Sequence, residues 1–158
     1  MKTPTRILFV CLGNIVRSPL AEKLFEAYVV KNGLDAKYEV DSAGTSAWHA
    51  NERPDARMRE VAAQHGFSYD GRARQIHPSD LQRFDRILVM DRENQAKVME
   101  MAMDADQEAK IQLLREYDPH AGHETSVPDP YYGGSDGFER VYNIIDRSVQ
   151  GLFNALED

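Results

Sequence analysis

The stretch Arg6-Ile7-Leu8-Phe9-Val10-Cys11-Leu12-Gly13-Asn14-Ile15-Val16-Arg17-Ser18-Pro19 decides how the rest of the chain is read. Arg6 to Val10 is a short apolar run with β-branched and aromatic residues, followed by a Gly-Asn turn, and reads as a strand. Ser18-Pro19 opens a helix, because proline is tolerated in a first turn whose N–H groups have no intrahelical partner. Leu20, Leu24, Phe25, Tyr28 and Val29 then recur at helical spacing as far as Asn32-Gly33, a suitable carboxyl cap.

Beyond this helix, Lys37 to Val40 reads as a second strand ending in Asp41-Ser42-Ala43-Gly44. Pro54 opens a second helix, with Met58, Val61 and Ala62 inward and Gly66 as its stop. Ser79-Asp80 caps a helical turn at Leu81 to Phe84, ahead of Arg86 to Met90. The unbroken Ile87, Leu88 and Val89 predict a central strand buried on both faces. A helix is expected from Asp91 to about Met103, with the charged stretch from Glu100 to Lys110 as its exposed end or a loop. Ile111 to Leu114 is a fourth strand, Asp118 to Gly134 a turn-rich loop, and Phe138 to Leu156 an amphipathic helix. This alternation predicts an α/β fold: one three-layer domain over residues 1–158, with a four-stranded parallel sheet, right-handed crossovers and helices on both faces. Ligands are expected at the carboxyl ends of the strands near a switch point, and the Cys11 loop lies at such an end.

Composition narrows the function. A chain of 158 residues with 42% apolar content can build one core, and 28% charged residues without Ser-rich or Pro-rich tracts oppose disorder. Nineteen Lys and Arg against 26 Asp and Glu, a net charge of -7, exclude generic nucleic-acid or anionic-membrane binding; an anion needs a local device. A lone cysteine, Cys11, excludes an intrachain disulfide framework and a multi-cysteine zinc site and fits a reducing cytoplasm. The apolar run from Ile7 to Leu12 is too short for a secretory signal, and no run approaches a membrane span. His120, His123 and Glu124 form a weak ligand cluster that a solvated loop explains better, so no metal is expected. Composition does not fix the oligomeric state.

Cys11 ends a strand, Arg17 follows six residues later, and a helix begins directly behind. A loop of this length can curl until its backbone N–H groups converge on one tetrahedral oxyanion, and Gly13 and Asn14 tolerate the left-handed backbone that curling needs. The guanidinium of Arg17 can offer two parallel donors to two phosphate oxygens. Amides, helix start and guanidinium all favour the thiolate, which is the nucleophilic form of cysteine. The bland alternative is that Cys11 is a small buried hydrophobe.

Cleaving a phosphate ester also requires a proton for the leaving oxygen. Asp129, between Pro128 and Pro130 and before Tyr131, Tyr132 and two glycines, is a candidate; Asp118-Pro119 is a rival or a turn. Trp48, Tyr131 and Tyr132 either line an apolar slot for an aromatic ring or simply pack a surface loop. A deep slot would favour phosphotyrosine over the shorter phosphoserine.

Cys11 to Pro19 resembles the phosphate-binding loop of low-molecular-weight protein tyrosine phosphatases. Asp41-Ser42-Ala43-Gly44, Trp48, Ala73-Arg74-Gln75-Ile76, Met90-Asp91 and Asp129-Pro130-Tyr131-Tyr132-Gly133 resemble family segments in the same order. The resemblance implies a cofactor-free protein-tyrosine phosphatase acting on tyrosine-phosphorylated proteins or small aryl phosphates. It implies Cys11 as nucleophile, Arg17 as phosphate clamp and Asp129 as general acid and base. Leu12, Gly13, Asn14, Ile15, Val16 and Ser18 are implied to bind substrate, with Trp48, Tyr131 and Tyr132 at the rim. Asn14 and Ser42 resemble a supporting hydrogen-bonded pair, although Ser42 alone also reads as a strand-end turn. Val16 stands where many relatives carry a second cysteine, so oxidised Cys11 has no resolving partner within the chain. Gly71 stands where some relatives place a histidine of the supporting network. Arsenate reductases and protein-arginine phosphatases share the loop. The former use further cysteines, and the latter tend to carry threonine where this chain has Ile15. A noncatalytic phosphate-binding or redox-sensing module is the reading from another class.

Overall fold

β1 (Thr5–Cys11) pairs in parallel with β2 (Tyr38–Gly44) on one side and β3 (Arg86–Val89) on the other, and β3 pairs with β4 (Ile111–Leu113). The computed structural model describes residues 3–131, 133 and 135–158. Ile7, Leu8, Phe9 and Val10 have no exposed surface, because the pleat points successive side chains to opposite faces and both faces are covered. Ile7, Phe9 and Cys11 join one core with Leu20 and Phe25 of α1 (Arg17–Lys31), Met58 of α2 (Ala56–Gln64), and Ile145 and Val149 further along the chain. Leu8 and Val10 join the other with Leu81 of α3 (Asp80–Arg83) and Val98 of α4 (Arg92–Met101). Each such buried side chain contributes roughly 1.5–3 kcal/mol of transfer free energy. The chain therefore forms the expected α/β sandwich around a four-stranded parallel sheet.

The sheet order β2-β1-β3-β4 places the switch point between β1 and β3, since the chain leaves β1 toward β2 and later returns to its other side. Loops leaving these two carboxyl ends diverge and open a crevice. Cys11 ends β1 at this crevice, and Asp91 follows β3 beside it. Asp91 also caps α4, accepting the Asn94 N–H at 2.8 Å while Asn94 Oδ1 accepts the Asp91 N–H at 3.2 Å.

Several local expectations shift. Asp55 caps α2 by accepting the Arg57 N–H at 2.8 Å, so Pro54 precedes the helix instead of opening it. Ser79 turns its hydroxyl to His77 Nδ1 at 2.8 Å, and the Asp80 carboxylate organises the turn by accepting the His77 N–H at 2.8 Å. The charged stretch does not continue α4: Asp104 caps a separate α5 (Ala105–Ala109) by accepting the Gln107 N–H at 2.8 Å. Leu114 begins a 3-10 turn rather than ending β4, and α6 (Ser135–Glu157) starts earlier than its apolar pattern does. Among the described residues no helix is long and apolar enough to cross a membrane.

Candidate active site

The loop from Cys11 to Ser18 is curled by bonds to its outer side. The carbonyls of Cys11, Leu12 and Ile15 accept the N–H groups of Thr45, Ser46 and Asp55 at 2.9, 2.9 and 2.7 Å. A planar trans peptide points its N–H opposite to its carbonyl, so pinning these carbonyls outward directs the N–H groups of Leu12, Gly13 and Val16 inward. The result is a nest of amides beside Cys11 Sγ. Asn14 closes the curl with φ of 56°, a left-handed conformation that asparagine tolerates.

Its side chain anchors the loop from behind. Asn14 Nδ2 donates to Ser18 Oγ at 2.8 Å and Ser42 Oγ at 3.0 Å, while Oδ1 accepts the Arg74 N–H at 3.0 Å. Cys11 Sγ accepts the Asn14 N–H at 3.3 Å and lies 3.0 Å from Ser18 Oγ. Asn14 and Ser18 thus stand behind the pocket wall and act on the loop and the sulfur, whereas Leu12, Gly13, Ile15 and Val16 line the pocket itself.

Arg17 is only 2% exposed, yet its guanidinium reaches partners from distant segments of the chain. Nη1 donates to Asp91 Oδ2 at 2.7 Å and to the Val127 carbonyl at 2.9 Å, and Nη2 to Asp129 Oδ2 at 3.4 Å. Burial by itself lowers the affinity of such a group for its proton. The nearby Cys11, Asp129 and Asp91 outweigh that effect and hold Arg17 above its ordinary value. Asp129 Oδ1 accepts the Tyr131 N–H at 3.0 Å, which fixes the carboxylate at the pocket edge. Cys11, Arg17 and Asp129 therefore line one pocket.

Tyr131 and Trp48 also line this pocket, but Trp48 is 77% exposed and forms its outer lip rather than a buried wall. Tyr132 lies outside the described residues. Asp118 sits elsewhere: Arg147 donates to its two oxygens at 2.9 and 3.2 Å and Arg115 to one at 3.3 Å. It is a buried anchor beneath the loop that leads to Asp129.

Three contributors carry no role that the sequence pattern assigns. Asp91 orients Arg17, and its place just beyond a central strand was the available signal. His49 lines the pocket with its ring 5.8 Å from that of Tyr131, and Glu22 accepts the Ser42 hydroxyl at 2.6 Å. Burial pushes the Glu22 carboxyl up, against the pull of Ser42 and Lys23. Lys23 Nζ lies 3.2 Å from the same carboxylate, and its Cε is 4.0 Å from where a side chain on Gly71 would begin. The support behind Ser42 is thus a Glu-Lys pair. Only the α1 helical periodicity marked Glu22 as inward, and a glutamate does not count toward an apolar pattern.

A family model described as low molecular weight phosphotyrosine protein phosphatase matches residues 6–158. A low molecular weight protein-tyrosine-phosphatase of Streptomyces coelicolor is 43% identical over 154 residues, covering 97% of this chain and 94% of the relative. Among solved structures, a protein tyrosine phosphatase from Entamoeba histolytica with Hepes in its active site superposes with a TM-score of 0.91 at 37% identity, covering 97% of each chain. A Drosophila arginine phosphatase superposes with a TM-score of 0.88 at 34% identity, covering 96% of this chain and 98% of that one.

Proposed function

Because the chain belongs to the low molecular weight phosphotyrosine protein phosphatase family, we propose that it hydrolyses phosphotyrosine in proteins, and small aryl phosphates, through a cysteinyl-phosphate on Cys11. The observation that carries this reading is the convergence of Cys11, Arg17 and Asp129 on one pocket floored by inward-facing amides. With Nη1 committed to Asp91 and Val127, the Nε–Nη2 edge of Arg17 is left to bridge two phosphate oxygens. A phosphate dianion in the nest gives Nη2 a new acceptor and releases Asp129 to carry a proton.

The Cys11 thiolate attacks phosphorus, the P–O bond to the phenol breaks, and Asp129 delivers its proton to the departing oxygen. The Asp129 carboxylate then takes a proton from water, which attacks phosphorus and breaks the P–S bond. Ser18 Oγ, 3.0 Å from Sγ, donates to the thiolate that reforms. The amides and Arg17 hold the equatorial oxygens through both displacements. These steps use only side chains, backbone amides and water.

Ile15 and Val16 give the pocket an apolar wall suited to a phenyl ring, which favours phosphotyrosine over phosphoarginine. A single buried cysteine supports a reducing, cytoplasmic setting. The test is turnover of p-nitrophenyl phosphate, phosphotyrosine, phosphoserine and phosphoarginine peptides by the purified protein, with chemical trapping of phosphate on Cys11. Phosphotyrosine should be preferred. Vanadate binding without release of nitrophenol would leave only a phosphate-binding module, and faster phosphoarginine turnover would overturn the substrate assignment.

A further inference from the structure

Arg17 holds the acid loop from inside the pocket through the Val127 carbonyl, and a second arginine holds it from just outside. We infer that Arg57 is a positioning residue that sets Asp129 against Cys11, acting as a strut between the two loops; this rests on Asp129 being the general acid. Arg57 Nη1 donates to the Tyr131 carbonyl at 2.9 Å, and its guanidinium lies 5.0 Å from the Tyr131 ring centroid and 4.6 Å from that of Phe138. Phe138 is buried in the core, so this stack ties the loop to fixed structure.

The other side of the same guanidinium is gripped by Asp55. Arg57 Nε donates to Asp55 Oδ1 at 3.1 Å and Nη2 to Oδ2 at 2.9 Å, a fork that lysine cannot reproduce. Hydrogen bonding to Asp55 holds Arg57 above its ordinary value. Asp55 in turn donates its N–H to the carbonyl of Ile15 in the phosphate loop at 2.7 Å. The chain of contacts is therefore Ile15, Asp55, Arg57, Tyr131 and, through the Tyr131 N–H, Asp129 Oδ1. One bidentate fork spans the distance between the amides that hold phosphate and the carboxyl that protonates the leaving oxygen.

Displacing a general acid by even about 1 Å can cost on the order of 100-fold in rate, and only where the leaving group needs the proton. The experiment compares kcat/KM across aryl phosphates of increasing phenol basicity for wild type, Arg57→Met, Arg57→Lys and Asp129→Asn, with vanadate inhibition alongside. Methionine keeps an apolar stem over Phe138, so folding is retained. Arg57→Met should lower kcat/KM about 10- to 30-fold for phenyl phosphate but less than about threefold for dinitrophenyl phosphate, with vanadate inhibition unchanged. Arg57→Lys, which retains one donor, should fall between. Equal losses across the series, no loss, or weakened vanadate binding would overturn the strut. Asp129→Asn separates the two claims. If it is steeply leaving-group dependent while Arg57→Met is flat, the acid assignment stands and the strut alone fails. If Asp129→Asn is itself flat, the acid assignment fails and the strut with it.

Discussion

The two loops that meet beside Cys11 are held by opposite means. The phosphate loop is mostly part of the core: beyond the exposed Leu12 and the half-buried Gly13, Asn14, Ile15, Val16, Arg17 and Ser18 are all 6% exposed or less, between a central strand and the helix packed on it. The acid loop is exposed at Pro128 and Asp129. It hangs from the Val127 N–H on the Met90 carbonyl at 2.7 Å, from Arg17, and from Arg57. A site that binds the same anion through two displacements needs fixed amides, and a core can fix them. A group that gives and takes a proton needs correct distance and the right protonation state, and neither demands that its loop be buried. Damage to the first loop should therefore appear in both stability and activity, and damage to the second in activity alone.

The largest expected effect is Cys11→Ser, which should reduce p-nitrophenyl phosphate turnover by at least about 10,000-fold while vanadate still protects the fold against heat, because the amide nest survives. Arg17→Lys strikes both loops at once. It should lower kcat about 100- to 1000-fold and also destabilise the protein by about 1–3 kcal/mol in urea melts, since Asp91 and the Val127 carbonyl lose the fork. Loss of activity with unchanged stability would mean the guanidinium serves substrate only.

A closer comparison sets Asp129→Asn against Asn14→Ala. The first should cost about 100-fold or more with phenyl phosphate and leave the melting temperature within about 2 °C of wild type. The second breaks two buried hydrogen bonds and one partly buried one, and should cost about 1–3 kcal/mol of stability together with roughly tenfold in phosphate affinity. The reverse pattern would abolish the distinction between the loops.

The smallest effects concern the carboxyls behind each loop, which shift in opposite directions. Burial raises Glu22. Asp118 is opposed by burial, but Arg147, the His120 N–H and Arg115 hold it below its ordinary value. A carboxyl with a lowered folded value contributes stability above its unfolded value, about pH 4, and loses it as pH falls through the folded one. Asp118→Asn should therefore flatten the acid side of a stability profile. A raised carboxyl contributes below its unfolded value and loses that contribution as pH rises through the folded one. Glu22→Gln should flatten the decline above about pH 4. Chemical denaturation at several pH values reads both, and parallel shifts at every pH would refute the linkage.

The strand, the curled loop and the helix behind it were legible in the sequence because every partner needed to recognise them lies nearby. An apolar run without alternation means burial on both faces, and the spacing from Cys11 to Arg17 is fixed by covalent connection. The separate helix at Ala105–Ala109 was missed because an Asp104 cap inside a charged run looks like the fraying end of the helix before it. Asp129 could be singled out by its prolines and tyrosines, but residue pattern alone left Asp118 as a rival, and both are aspartates before proline.

Periodicity and short-range geometry already dictate the parallel α/β sheet, the thiol at a strand end and a loop able to curl between strand and helix. What Arg17 touches is set by the folded chain alone, with Asp91 and Asp129 lying 74 and 112 residues away. The same holds for Asp118 locked between arginines, Trp48 standing at the lip, and Glu22 and Arg57 bracing the two loops. Strand order, which is set by the burial of the whole sheet, brings these groups together, and no local pattern of residues carries that order.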